Sequence, residues 1–462
     1  MPSSSRSETE RPQSPGRSHT APIPVRYKSR RTESEVRRCK KGQRTDIKPP
    51  EWDKFGYASN NEVLERGIVY DSQTLPIRRL RRCDITQESF YKDVVLKNQP
   101  VIIEGAVDHW PAMRRWSIDA LEEKYRHVSF KVGKTDGGKN IKIKFKYYAD
   151  YLRRQKDDSP LYLFETGMDD DGHLRHLLDD FEIPDLFPND WFALMNEDAR
   201  PPHRWFCIGP KRSGTTVHTD PLGTSAWNAV THGRKQWVLF EPDTPRRIAK
   251  GKDVLKKGED NEAIMYFDFL LPRLKRANPN VRTYEGVQNP GELIFVPGDW
   301  WHGVLNLEDA VAATQNYCGP DNFEKVWTRT RRQREKVASL WLRNMRKFAP
   351  SLHARALEMN RRDGFRMRHE RKKGEKLPQS DSSSDSSSSD SSSDEAADLC
   401  AVGVESILGS GVVLGAAARK RRAPTPCSAS ALPVPAQDDG GSWKLRRTKD
   451  NFETKGMAPL IG

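Results

Sequence analysis

The chain has 462 residues, 35% of them hydrophobic and 31% charged. That is too polar for one compact globule of this length, so a folded centre with disordered ends is expected. A formal net charge of +14, from 78 Lys+Arg against 64 Asp+Glu, favours anionic partners such as nucleic acid, and equally fits a solvated basic surface carrying targeting signals.

Six cysteines (Cys39, Cys83, Cys207, Cys318, Cys400 and Cys427) form no C-x-x-C pair. This argues against a zinc module or a disulfide framework and suits a reducing compartment. No apolar h-region follows Met1, so no secretory signal peptide is expected. The nearest candidate membrane span, 401–418, carries Glu405 and several glycines, so no membrane association is expected.

Residues 1–50 are rich in Ser, Arg, Lys and Pro and read as a disordered basic segment. Their clusters Arg30-Arg31 and Arg37-Arg38-Cys39-Lys40-Lys41 suit import signals or RNA contacts. Residues 51–170 are expected to supply helices and strands that pack on a barrel. Within them, 99–105 reads as a short buried strand, and 108–112 as a loop. Ser117 caps a helix running to Arg126, with Glu122 placed early to suit the helix dipole. Ile141-Lys142-Ile143-Lys144-Phe145 alternates as a half-exposed strand does.

From 171 to 335 the pattern is mainly β. Together with 161–164, the runs 204–209, 225–230, 236–240, 292–296, 301–307 and 311–318 read as strands, separated by turns such as His232-Gly233, Asn289-Pro290-Gly291 and Pro297-Gly298. The fold class is mainly β (α+β), a sandwich or jelly-roll barrel with flanking helices. His218 and Asp220, two apart on one strand, would face the same interior. Residues 336–376 form a basic helical segment, with Val337, Leu340, Trp341, Met345 and Phe348 at helical spacing and a second helix from Ser351. This face either packs back onto the domain or forms a homodimer interface. Residues 377–462 read as a solvated tail: a Ser/Asp run open to acid-directed kinases, then Arg419-Lys420-Arg421-Arg422, an import-like motif that points to the nucleus. The tail could cover a basic surface or compete with an anionic ligand.

The chemistry concentrates on His218, Asp220 and His302. Two histidines and one carboxylate on one face of a metal leave positions open for an oxidant and a co-substrate, the donor set of a non-haem Fe(II) centre. If the co-substrate is 2-oxoglutarate, its distal carboxylate needs a buried cation. Lys235, just past the His232-Gly233 turn, is the candidate, with the hydroxyls of Tyr162 and Thr314 and the amides of Asn228 and Asn316 as partners. The same His/Asp set would also suit a cupin-type Zn or Mn enzyme acting on a small molecule.

Several stretches together form a more specific pattern: Asp157-Asp158-Ser159-Pro160-Leu161-Tyr162, Arg204-Trp205-Phe206, Gly209-Pro210, Arg212-Ser213-Gly214-Thr215, the run His218 to Asn228, Val296-Pro297-Gly298, Trp300-Trp301-His302, Val304 to Leu307, and Thr314-Gln315-Asn316. From residue 51 to 345 the chain resembles the Jumonji C-domain (JmjC) Fe(II)/2-oxoglutarate-dependent oxygenases, and within them the members that demethylate arginine and hydroxylate lysine. The resemblance implies a cupin-type double-stranded β-helix. It implies His218, Asp220 and His302 as iron ligands, with Tyr162, Asn228, Lys235 and Thr314 holding 2-oxoglutarate; Thr215 and Asn316 complete the expected co-substrate set. Dioxygen would be the oxidant. Lysine would become hydroxylysine, or N-methylarginine would lose its methyl group as formaldehyde, on Lys/Arg-rich proteins of splicing-factor or histone type. Chromatin regulation and RNA contact through the basic flanks are expected to accompany this activity. The motif's usual second glycine after Pro297 is Asp299 here, a carboxylate expected at the metal mouth and suited to a cationic substrate. The alternative is an RNA- or chromatin-binding protein whose metal site is structural or inactive.

Overall fold

The computed structural model describes residues 25–169, 171–196 and 199–371. The expectations for the Ser/Asp run and the basic motif near 420 lie outside these residues. Among them, two facing sheets and a hairpin carry the architecture. In chain order the strands are β1 (Thr74–Pro76), β2 (Arg78–Arg81), β3 (Val101–Glu104), β4 (Ser129–Lys134), β5 (Asn140–Lys144), β6 (Leu163–Glu165) and β7 (Arg204–Gly209). They continue with β8 (Gly214–His218), β9 (Ser225–His232), β10 (Lys235–Phe240), β11 (Thr283–Gln288), β12 (Leu293–Val296), β13 (Trp301–Asn306) and β14 (Ala310–Tyr317). One sheet has the order β1-β11-β10-β13-β8, the other β2-β3-β12-β9-β14-β7-β6, and β4 pairs with β5. Sequence-distant strands thus lie side by side in a double-stranded β-helix, as the jelly-roll reading requires.

Strand placement follows from composition. β12 is Leu-Ile-Phe-Val and buried throughout, and β9 is buried over all but its last residue, as expected for central strands covered on both faces. Apolar clusters lie on both sides. Phe90, Trp116, Phe187, Phe206, Trp227 and Phe295 share one. Ile102, Trp237, Ile294 and Val296 share another.

The N-terminal region contributes more to the barrel than an outer layer. β1 runs parallel to β11, β3 pairs antiparallel with β12, and β2 runs parallel to β3. Residues 30–43 also depart from the expected disorder and form helix α1 (Arg30–Gln43), capped by Ser29, whose hydroxyl accepts from the Thr32 amide at 3.1 Å. Only Thr32, Val36, Cys39 and Lys40 are buried on it. Lys40 donates to Asp157 at 2.5 Å and lies over the rings of Trp52 and Tyr151. A charged helix is therefore held by one buried ion pair and a narrow apolar stripe.

Helix α2 (Ile118–Tyr125) starts at Ser117, which accepts from the Ala120 amide at 3.2 Å. Its first-turn acid is Asp119, whereas Glu122 accepts from Arg153 at 2.6 Å. Phe145 opens helix α3 (Phe145–Arg154) instead of ending β5. Three helices close the described chain: α4 (Phe323–Gln333), α5 (Glu335–Phe348) and α6 (Pro350–Arg362). Val337, Trp341 and Met345 of α5 are buried with Phe192, Phe323, Trp327 and Met359. Leu340 is half-buried and Phe348 exposed. Among the described residues no helix is long and apolar enough to cross a membrane.

Candidate metal centre and co-substrate cavity

Antiparallel pairing of β8 with β13 sets His218 directly opposite His302, and their ring centroids lie 4.3 Å apart. The register shifts between His302 and Val304, a bulge that re-aims a side chain at a strand end. Asp220 is not on the strand, as the sequence pattern had suggested. β8 ends at His218, and Asp220 opens a tight turn over 221–223 in which Leu222 and Gly223 take φ of +59° and +73°. That reversal, and not strand alternation, brings the carboxylate to the histidines. One ligand atom from each of the three residues lies within 4.8 Å of the others, and His302 Nε2 is 4.0 Å from Asp220 Oδ1.

Hydrogen bonding orients both rings. His218 Nδ1 is 2.8 Å from the Thr216 carbonyl oxygen, and His302 Nδ1 is 3.0 Å from that of Trp300. A carbonyl only accepts, so each Nδ1 carries the proton and each Nε2 lone pair is left for a metal. Burial, reinforced by neighbouring His302, pushes the His218 pKa down to about 3, so the imidazole is neutral. Burial raises the Asp220 carboxyl above its usual range, with His302 and Asn316 offsetting part of the effect. Asp220 Oδ2 is buried without a hydrogen-bond partner. An orphaned carboxylate oxygen beside the neutral His218 imidazole lacks a positive charge, which a divalent cation supplies. The N₂O donor set on one face fits Fe(II).

The triad opens into a cavity of about 200 Å³ that also reaches Tyr162, Thr215, Asn228, Lys235, Thr314 and Asn316. Lys235 starts β10 and is buried. Its ammonium meets the Tyr162 hydroxyl at 3.4 Å, and no carboxylate among the described residues pairs with it. Burial pulls its pKa down, so an incoming carboxylate would restore its favoured charge state. Thr215 Oγ1 and Asn228 Oδ1 are buried and unpartnered. The other two candidates are engaged. Thr314 donates to the Trp227 carbonyl at 2.8 Å, and Asn316 donates to Thr224 Oγ1 at 3.1 Å, bracing the turn that carries Asp220.

Trp205 and Gln43 are among the cavity residues that escaped the site reading of the sequence. Trp205 lies opposite Thr314 on β7 and is buried, with an indole Nε1 that finds no acceptor. An indole N–H only donates, so it suits an anionic ligand; the strand register with Thr314 is the feature that could have flagged it. Gln43, at the end of α1, also lines the cavity. Asp299 corrects another expectation. It takes φ of +72°, binds Arg329 of α4 through both oxygens and meets Lys325 at 2.9 Å. Burial raises its carboxyl pKa, but these two cations more than offset it and the net shift is downward. Its charge is spent within the fold, so it is no free acceptor for a cationic substrate.

Residues 87–323 match the cupin-like domain family. The bifunctional arginine demethylase and lysyl-hydroxylase psr-1 of Caenorhabditis elegans is 37% identical over 329 residues, covering 71% of this chain and 80% of that protein. The arginine-specific demethylase JMJ22 of Arabidopsis thaliana is 35% identical over 54% of this chain and 48% of its own length. The 2-oxoglutarate and iron-dependent oxygenase JMJD4 of Gallus gallus is 27% identical over 52% of this chain and 60% of its own. Paired histidines, an orphaned aspartate and a buried lysine lining one cavity agree with that ancestry: the chain belongs to the cupin-like JmjC family of iron- and 2-oxoglutarate-dependent oxygenases.

Proposed function

We propose that this oxygenase hydroxylates lysine side chains of Lys/Arg-rich proteins, and that it demethylates N-methylarginine by the same C–H oxidation. The observation that carries the reading is a single cavity lined both by His218, Asp220 and His302 and by the buried Lys235. The name of psr-1, which joins both activities, supports the pairing. The excess of basic residues supports nuclear, RNA-associated partners such as splicing-factor-like proteins or histones, and the half-exposed edge of α5 supports a homodimer.

When bound, Fe(II) and 2-oxoglutarate couple decarboxylation of the co-substrate to insertion of one dioxygen atom into a substrate C–H bond. The protein's share is positioning. His218, His302 and Asp220 would hold the metal. Lys235 and Tyr162, with the Trp205 N–H, would receive the co-substrate's distal carboxylate. Lysine then gains a hydroxyl. An N-methyl group becomes N-hydroxymethyl, and its C–N bond breaks to release formaldehyde and arginine.

The test uses the full chain and a Lys/Arg-rich peptide with a matched N-methylarginine peptide. Gain of one oxygen on lysine, or loss of a methyl with formaldehyde, should require iron and 2-oxoglutarate and vanish in His218→Ala. Turnover of 2-oxoglutarate that no such peptide stimulates would overturn the substrate assignment.

A further inference from the structure

A second cavity, of about 80 Å³, adjoins the metal cavity and shares Gln43, Tyr162, Gly214 and Glu262 as walls. Much of the rest comes from residues 44–55, which precede the cupin-like match at 87–323. The arm is pinned in place. Arg44 binds Asp260 at 2.9 Å and Glu262 at 2.8 Å, Ser159 donates to Glu262 at 2.7 Å, and the Asp158 amide donates to the Trp52 carbonyl at 2.7 Å.

Two of its walls carry unmet hydrogen-bonding capacity. Trp52 is 6% exposed, and its indole Nε1 is buried with no acceptor. Gln43 Oε1 is buried with no donor. Buried polar atoms of folded proteins are normally paired, and a donor on one wall residue with an acceptor on another can meet the C=O and N–H of a peptide. The charge balance is equally one-sided: Glu51, Asp158, Asp260 and Glu262 line the cavity against Arg44 and Lys54.

We propose that this second cavity is a substrate subsite that takes a residue flanking the oxidised one, binding its backbone amide through Trp52 and Gln43 and preferring a cationic side chain. The proposal rests on the protein-substrate reading above and deepens it. The metal cavity receives the target side chain, and the arm reads its neighbour, so a Lys/Arg-rich context is recognised by a part of the chain outside the catalytic barrel.

The experiment uses the full chain and two peptides that share one target lysine, with arginine or alanine at the flanking positions. Both hydroxylation kcat/KM and peptide affinity by fluorescence anisotropy on metal-loaded protein are read. Wild type should favour the arginine flank through KM. Lys54→Glu, an exposed position, should widen the arginine-to-alanine ratio by about three-fold, as reversing one charge near a surface site does. A general folding defect would not widen it. Gln43→Ala should weaken both peptides together without changing their ratio. An unchanged ratio in Lys54→Glu, or undiminished binding in Gln43→Ala, overturns the subsite. If no peptide is oxidised, the protein-substrate reading fails by itself, and the anisotropy arm still decides whether the cavity binds peptide.

Discussion

His218 and His302 stand opposite one another on adjacent antiparallel strands, and the approach of those strands depends on Gly214 four residues earlier. A Cβ at Gly214 would fall inside the van der Waals envelope of the Val304 carbonyl oxygen and press on Ala263. Backbone cannot yield as a flexible side chain does. Gly214→Ala should therefore cost about 1–3 kcal/mol of stability and loosen the histidine pair. Thermal melts and iron titration should report both losses; a variant with wild-type melting and metal affinity would show that this strand contact is not what sets the site.

Asp220 is the candidate ligand with an orphaned oxygen, so its contribution should change sign with metal. Without metal, Asp220→Asn removes a buried unpaired charge and should melt at or above wild type, by about 1 kcal/mol. With Fe(II) present the order should reverse. Metal affinity should fall by more than about 100-fold, since loss of an outer-shell partner alone costs about 10–100-fold. Paired melts with and without metal check this. Destabilisation of the metal-free variant would make Asp220 a structural residue.

Lys235 meets one hydroxyl at 3.4 Å, which leaves its ammonium under-satisfied and suited to an incoming carboxylate. Lys235→Met should leave the metal-free fold as stable as wild type. The KM for 2-oxoglutarate should rise about 30-fold or more, the cost of truncating one partner of a buried charge pair. Lys235→Arg should not restore it, because the planar fork differs in shape and reach from an ammonium. Co-substrate titration of the three proteins is the measurement; an unchanged KM in the methionine variant would move the distal carboxylate elsewhere.

What the sequence shows of this molecule and what it hides have physical causes. The central strands were legible because local chemistry fixes them: Leu293-Ile294-Phe295-Val296 and Arg204 to Gly209 match the expected runs within a residue. The candidate metal ligands were legible as residue types, yet the reason Asp220 reaches the histidines was not, since it depends on positive φ at Leu222 and Gly223. Helix α1 was hidden by its composition. Its burial is one ion pair and four residues, which no hydrophobic average registers. Asp299 misled for a related reason: its partners Lys325 and Arg329 lie on α4, and only the fold brings them there.

His203 gives the fold a built-in acid sensitivity next to the site. Burial, then the nearby Arg200 and Arg204 charges, push its pKa down to about 2 from an ordinary 6.5. Its carbonyl accepts from the Asn316 amide at 2.7 Å, so it is tied to the strand that braces Asp220. Between pH 2 and 6.5 the unfolded chain binds a proton at this ring that the folded chain does not. Stability must then rise with pH across that window and be lost as pH falls below 6.5. At pH 5 the loss from this one group is about 2 kcal/mol. His203→Gln removes the titration and should flatten the dependence of melting temperature on pH between 5 and 7. Parallel curves for wild type and variant would mean that the ring is already protonated, or solvated, in the folded protein.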